Sequence, residues 1–164
     1  MDALFKNDKM YFSYRISGIL ICKGKVLFQH FRNSAEYALP GGHAEIGETS
    51  EQTIVREFME ESKIAVKPIR MVAVGENFFP WPTKPVNCHQ ISLYYLLEAE
   101  EDIETKDFDF MDELSGESYD LEFCWKTVEE INGMTMYPMN IKEDILRLME
   151  EPDSEKVSHF VFYE

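Results

Sequence analysis

Residues 41–64 read GGHAEIGETSEQTIVREFMEESKI, and both the fold and the chemistry turn on how that stretch is placed. Thr49 or Ser50 can cap a helix, with Glu51 and Gln52 well placed in its first turn, and the pattern predicts a helix running to about Glu61. On that helix Glu57, Glu60 and Glu61 stand at i, i+3 and i+4, so their carboxylates share one narrow face. Ile54, Val55, Phe58 and Met59 are expected on the opposite side, as an apolar stripe buried against a sheet.

Such a face is unfavourable by itself. It carries no Lys at the i+4 spacing that relieves repulsion, and it lies near the helix C-terminus, where the macrodipole disfavours anions. The plain alternative is a solvated acidic surface; the uncompensated repulsion argues instead for a bound cation. Mg²⁺ or Mn²⁺ takes oxygen ligands from a few carboxylates, a backbone carbonyl and water. Gly41 and Gly42, following Pro40, let the backbone approach a metal or phosphate where a β-carbon would clash, and can aim a carbonyl at the same cluster.

Working outward, ISGILIC, KGK and VLFQHF over residues 16–31 predict a hairpin. Further strands are expected over Ile64–Val66, Ile69–Phe79, His89–Leu97 and Leu121–Lys126. A second helix is expected from about Asn140 to Glu150, and VSHFVFYE closes the chain as a strand. Many strands with two helices imply an α/β sandwich with a mixed sheet. No linker or repeat divides residues 1–164, and a 45% hydrophobic, 13% aromatic composition supports one core, hence a single domain.

The formal charge of −15 opposes a long grip on a nucleic-acid backbone, which rests on Lys and Arg clusters. A small anionic ligand is compatible with it if metal ions neutralise the ligand. No apolar run reaches the roughly 18 residues of a membrane span, and the N-terminal residues lack signal-peptide blocks, so a cytoplasmic protein is expected. Cys22, Cys88 and Cys124 read as buried thiols of a reducing compartment. Segment 98–122, acidic at nearly every second position, reads as a mobile, solvated hairpin loop. His30, His43, His89 and His159 are scattered and read as structural, and no nucleophilic triad is visible.

Gly42, Glu48 and the run Arg56-Glu57-Phe58-Met59-Glu60-Glu61-Ser62-Lys63-Ile64 together resemble the Nudix box, GX5EX7REUXEEXGU, where U is a bulky apolar residue. Leu39-Pro40-Gly41 is similar to the usual lead-in. Two positions depart: Phe58 at an aliphatic site, and Lys63 in place of the final glycine, which puts the exit from the helix in question rather than the metal site. The resemblance implies a Nudix α/β/α sandwich and divalent-metal-dependent hydrolysis of a nucleoside diphosphate linked to another moiety, by attack of water on phosphorus. It makes Glu57, Glu60 and Glu61 the metal ligands, with the Gly41 carbonyl as a further one and Glu57 as the first candidate for the base. Arg56 and Glu48 would orient those carboxylates. Some relatives draw a further acid from a loop before a Trp-containing strand, which points to Glu117, with Asp120 beside it. For the nucleotide-like substrate, Gly41, Gly42, Phe78, Trp81 and Tyr137 are the candidate contacts, with Phe79 and Asn140 nearby. The resemblance also admits a homodimer, although no stretch marks an interface. The alternative is a catalytically silent Nudix-fold nucleotide-binding or regulatory module; such modules usually lose box carboxylates, and none is missing here.

Overall fold

The computed structural model describes residues 1–81, 85–110 and 120–164. In chain order the strands and helices are β1 (Leu4–Lys6), β2 (Met10–Cys22), β3 (Lys25–Phe31), β4 (Glu36–Tyr37), β5 (Gly41–His43), α1 (Ser50–Ser62), β6 (Val66–Pro80) and β7 (Asn87–Ala99). They continue with β8 (Phe108–Asp109), β9 (Leu121–Lys126), α2 (Val128–Gly133), β10 (Thr135–Met136), α3 (Lys142–Glu150) and β11 (Ser158–Tyr163).

The expected hairpin is β2–β3. Lys23 and Gly24 turn it with φ of 50° and 74°, the left-handed pair whose twist suits a two-residue connection. After Ile21↔Val26 and Cys22↔Lys25 the strands part, and β5 pairs with β2 in the gap, His43 opposite Arg15 and Gly41 opposite Ser17. The main sheet runs β11-β6-β7-β2-β3-β9-β8, with β1 and β5 also on β2. It is mixed, because β7 lies parallel to β2 and β11 parallel to β6 while the other main-sheet pairs are antiparallel.

Helices cover both faces. Ile54 and Phe58 of α1 are buried with Ile16, Leu20, Leu27, Tyr95 and Leu97. Burying each of those two side chains contributes about 1.5–3 kcal/mol. On the other face Ile131 of α2 and Ile145 and Leu148 of α3 pack with Ile19, Phe28, Val72 and Tyr94. The α/β/α layering with a mixed sheet is therefore as expected.

Several boundaries differ from the sequence reading. The strands expected at Ile64–Val66 and Ile69–Phe79 are one strand, β6, whose register against β7 shifts between Pro68 and Arg70; Pro68 has no N–H to give the ladder. Helix α2 was not expected, although Thr127 and Glu130 form a capping box at its start. Segment 98–122 is not simply a solvated loop. Glu98 and Ala99 extend β7, β8 pairs with β9, and Phe108 and Phe110 stack beside Phe123 at 4.9 and 6.4 Å. Asn140 lies in a short 3-10 turn, Met139–Ile141, and α3 begins after it. Cys88 and Cys124 are buried, Cys22 half-buried, and all three are free thiols.

Candidate active site

Helix α1 starts where its caps dictate. The Thr49 side chain accepts from the Gln52 amide at 3.2 Å, and the Gln52 side chain accepts from the Thr49 amide at 2.9 Å, so two otherwise orphaned donors are satisfied. The helix ends on Lys63 at φ 59° and ψ 19°, the left-handed conformation that glycine usually supplies. Lys63 bridges back by donating from Nζ to the Glu60 carbonyl at 2.9 Å.

The buried side of α1 is not the one expected. Thr53, Ile54, Phe58 and Ser62 are buried, whereas Val55 and Met59 are 38% and 44% exposed. At about 100° per residue, Glu57 and Glu61 project between Thr53 and Ile54 around the helix. The acidic face and the sheet-facing side therefore overlap rather than oppose each other. The Glu57 side chain is only 12% exposed. The space comes from β5, since a β-carbon on Gly42 would lie 2.1 Å from the Glu57 carboxyl carbon.

Arg56 organises the carboxylates. Its Nε and Nη2 donate to the two oxygens of Glu48 at 2.7 and 2.9 Å. Nη1 donates to Glu57 at 2.8 Å and to Glu60 at 3.1 Å, and Nη2 also reaches the His43 carbonyl at 3.1 Å. This planar fork fixes geometry in a way a point charge does not. Glu48 also accepts from the Glu45 amide and the Thr53 hydroxyl, and the Arg56 hydrogen bonds, first among these contacts, hold its carboxyl down at about 2. Burial pushes the Glu57 carboxyl up, and Arg56 opposes that shift. Glu60 is 43% exposed and Glu61 half-buried. Glu57 and Glu60 thus meet on one nitrogen of Arg56, but the ligand atoms of Glu57, Glu60 and Glu61 do not all approach within 4.8 Å of one another.

Among the described residues a trio that tight is formed by His30, Glu122 and Cys124. His30 and Glu122 face each other across β3 and β9, with Nε2 2.8 Å from the carboxylate. Burial pushes the Cys124 thiol up to about 12, and it donates to Glu122 at 3.4 Å. The trio is internally hydrogen-bonded.

A cleft of about 700 Å³ opens on the face that carries α2 and α3, with Arg15, Gln29, Tyr37, His43, Phe79, Trp81 and Tyr137 in its wall. Trp81 packs edge-on against Tyr11 at 5.2 Å, and Tyr137 edge-on against Phe79 at 5.3 Å. β5 joins this cleft to the carboxylates. Gly42 lies beneath Glu57, the Gly41 carbonyl accepts from Arg15 Nη2 at 2.9 Å, and His43 lines the cleft while its carbonyl accepts from Arg56.

The expected substrate contacts are thus divided. Trp81 and Tyr137 are in the cleft wall. Phe78 is not: strand alternation turns it to the other face, where its ring stacks on His89 and Tyr163 at 4.4 and 4.8 Å, and Phe79 takes the position in the cleft. Asn140 is outside the cleft wall too. Glu117 lies outside the described residues, and Asp120 is paired with Arg32 Nε at 2.9 Å.

The NUDIX domain profile matches residues 14–148. The chain belongs to the Nudix family. Part of it is 47% identical over 58 residues to the NAD-capped RNA hydrolase NudC of Pectobacterium atrosepticum, covering 35% of this chain and 21% of that one. It is 34% identical over 92 residues to the RNA pyrophosphohydrolase of Erwinia tasmaniensis, covering 49% and 53%. The chain thus spans about a fifth to a half of the curated relatives it matches. Among solved structures, a NUDIX hydrolase from Nitrosomonas europaea aligns at TM-score 0.59 and 20% identity over 98% of this chain and 80% of that one. The MutT protein of Methanosarcina mazei aligns at TM-score 0.58 and 19% identity, covering 91% and 100%. At those identities the likeness speaks for the fold alone.

Two residues that line the cleft are not among the candidate contacts read from the sequence, where His43 reads as structural and Arg15 does not enter. Arg15 and His43 share a row across β2 and β5 and both line the cleft. Arg15 carried a usable signal, a lone cation alternating with the inward residues Ser13 and Ser17. His43 was legible only as a neighbour of the glycine pair. Burial, with Arg15 adding to it, pushes its imidazole down, which favours the neutral form.

Proposed function

We propose that this Nudix protein hydrolyses a phosphoric anhydride bond in a nucleoside diphosphate linked to another moiety, with Mg²⁺ or Mn²⁺ held by Glu57, Glu60, Glu61 and the Gly41 carbonyl. The observation that carries the reading is Arg56, which gathers Glu48, Glu57 and Glu60 onto one guanidinium. A structural ion pair needs one carboxylate, whereas three drawn together beside a ring-lined cleft suit a cation and an anionic ligand. The donor set fits, because all four are hard oxygens and Glu60 is exposed enough to swing. Bound there, the metal would neutralise the diphosphate and lower the pKa of its water.

The chain's own part is positional. Glu48 locks the Arg56 fork, and Arg56 sets the direction of the Glu57 and Glu60 carboxylates. Glu57, shielded by Gly42 and the sheet, would take the proton of the attacking water on a carboxylate oxygen. Trp81, Phe79 and Tyr137 offer ring faces and edges to a base, and Gly41 and Gly42 allow the phosphates near the backbone. Two of the relatives are named for RNA, an NAD-capped RNA hydrolase and an RNA pyrophosphohydrolase, but the charge of −15 favours a free nucleotide derivative here.

The test is a panel of nucleoside triphosphates, ADP-ribose, dinucleoside polyphosphates, nucleotide sugars and 5′-modified RNA, incubated with Mg²⁺ or Mn²⁺ and scored by product. Metal-dependent anhydride cleavage of free nucleotide derivatives is expected, and its loss in Glu60→Gln. No cleavage of any member would overturn the hydrolase reading in favour of a nucleotide-binding module; cleavage of RNA alone would overturn the substrate class.

A further inference from the structure

Three arginines of this acidic chain, with 16 Lys and Arg against 31 Asp and Glu, are spoken for, and Arg70, whose Nη1 and Nη2 are buried without a hydrogen-bond partner, lies outside the cleft wall. Arg56 holds three glutamates, Arg32 contacts Asp109, Asp120 and Glu122, and Arg147 pairs with Asp144. Arg15 makes no ion pair among the described residues, although it is half-buried in a cleft wall. Its one hydrogen bond there, Nη2 to the Gly41 carbonyl at 2.9 Å, pins one nitrogen of a guanidinium with five N–H donors.

We infer that Arg15 is a diphosphate clamp, gripping the ligand's phosphates where the ring-lined cleft meets the carboxylate helix. Glu36 and Glu164 also line the cleft, so the anion follows from the guanidinium itself and not from the cleft's net charge. Of the basic side chains described in its wall, His30 faces Glu122 at 2.8 Å, whereas the Arg15 guanidinium is a permanent positive charge. A planar fork matches the oxygens of a phosphate. Along β2, Arg15 stands four residues from Tyr11, against which Trp81 packs. That separation is about 13 Å at the rise of a strand, room for a nucleoside between ring and guanidinium. Gly41 gives the clamp its aim through the carbonyl that accepts from Arg15 Nη2, and a cation held by that same carbonyl would lie next to the guanidinium. The identity of the ligand as a nucleotide rests on the hydrolase reading; the need for an anion at Arg15 does not.

Isothermal titration of the intact protein in EDTA, with inorganic diphosphate, ADP and adenosine, tests it. Wild type should bind diphosphate, and bind ADP more tightly than adenosine. Arg15→Ala should weaken diphosphate and ADP by about tenfold or more while leaving adenosine unchanged, and Arg15→Lys should recover part of the loss. Arg15→Gln, which keeps a donor for the Gly41 carbonyl, separates anion binding from loop support: the same loss in a variant melting like wild type supports the clamp. Undiminished diphosphate affinity in Arg15→Gln, or no diphosphate binding by wild type, overturns it. Arg15-dependent diphosphate binding in a protein that hydrolyses nothing in the substrate panel would sink the hydrolase reading and leave the clamp standing.

Discussion

The Glu57 carboxylate occupies the place where Gly42 would carry a side chain: all three of its carboxyl atoms lie within 2.1–2.3 Å of an ideal β-carbon on that glycine. Gly42→Ala therefore has to push Glu57 off β5 and out of its hydrogen bond with Arg56 Nη1. Metal-dependent turnover should fall roughly 10- to 100-fold, the usual cost of disturbing a ligand's orientation, while the melting temperature changes little. Titration with Mn²⁺ followed by electron paramagnetic resonance checks the cause, since affinity for the ion should fall with the rate.

Glu60→Gln and Glu61→Gln remove charge without removing bulk. Both should abolish metal-dependent turnover and weaken Mn²⁺ binding with the fold intact, as judged by circular dichroism. Full activity in either variant would remove these glutamates from the site.

The Arg56–Glu48 fork makes a pH prediction. The Glu48 carboxyl is held at about 2 against an ordinary 4.5, so its folded-state value is depressed. The stability it contributes is present above pH 4.5 and is lost as the pH falls toward 2. In EDTA, acid unfolding of Glu48→Gln should show a shallower fall over that window than wild type. Arg56→Lys, which keeps the charge and loses the fork, should cost roughly 10- to 100-fold in turnover with a smaller loss of ion affinity.

What the sequence disclosed and what it withheld divide along physical lines. Local signals were sufficient for α1, because Thr49 and Gln52 cap it through neighbours in sequence, and for the β2–β3 turn, where Gly24 accepts the left-handed conformation. The spacing of Glu57, Glu60 and Glu61 is likewise a property of a single helix. The orientation of that helix is not: Val55 and Met59 are exposed because a glycine strand lies beneath α1 and admits glutamate there, and no periodicity within α1 contains that information. Arg15 and Arg56 meet the site from different elements through β5, a strand of three residues too short to announce itself. Phe78 and Phe79 were indistinguishable until the alternation of β6 put one ring on each face.

Lys63 is a non-glycine residue at φ 59°, a conformation costing an L-residue roughly 1–2 kcal/mol. Lys63→Gly removes that strain, adds freedom to the unfolded chain and gives up the bond from Nζ to the Glu60 carbonyl. The melting temperature should move by a few degrees, with kcat within twofold of wild type, because the substitution leaves every carboxylate in place. A large rate change at unchanged stability would instead make the helix exit part of the active site.

Trp81 and Phe78 provide the last test, because they stand three residues apart on opposite sides of the sheet. Trp81 lines the cleft and Phe78 stacks on His89 and Tyr163. If the cleft takes the base, Trp81→Ala should raise KM about 5- to 100-fold with kcat less affected, since stacking on an aromatic ring is worth roughly 1–3 kcal/mol. Phe78→Ala should leave KM within twofold and lower the melting temperature instead, because it opens a cavity between two packed rings. Steady-state kinetics on the substrate identified by the panel, paired with thermal melts, reads both effects. A KM change in Phe78→Ala equal to that in Trp81→Ala would mean that the base binds elsewhere.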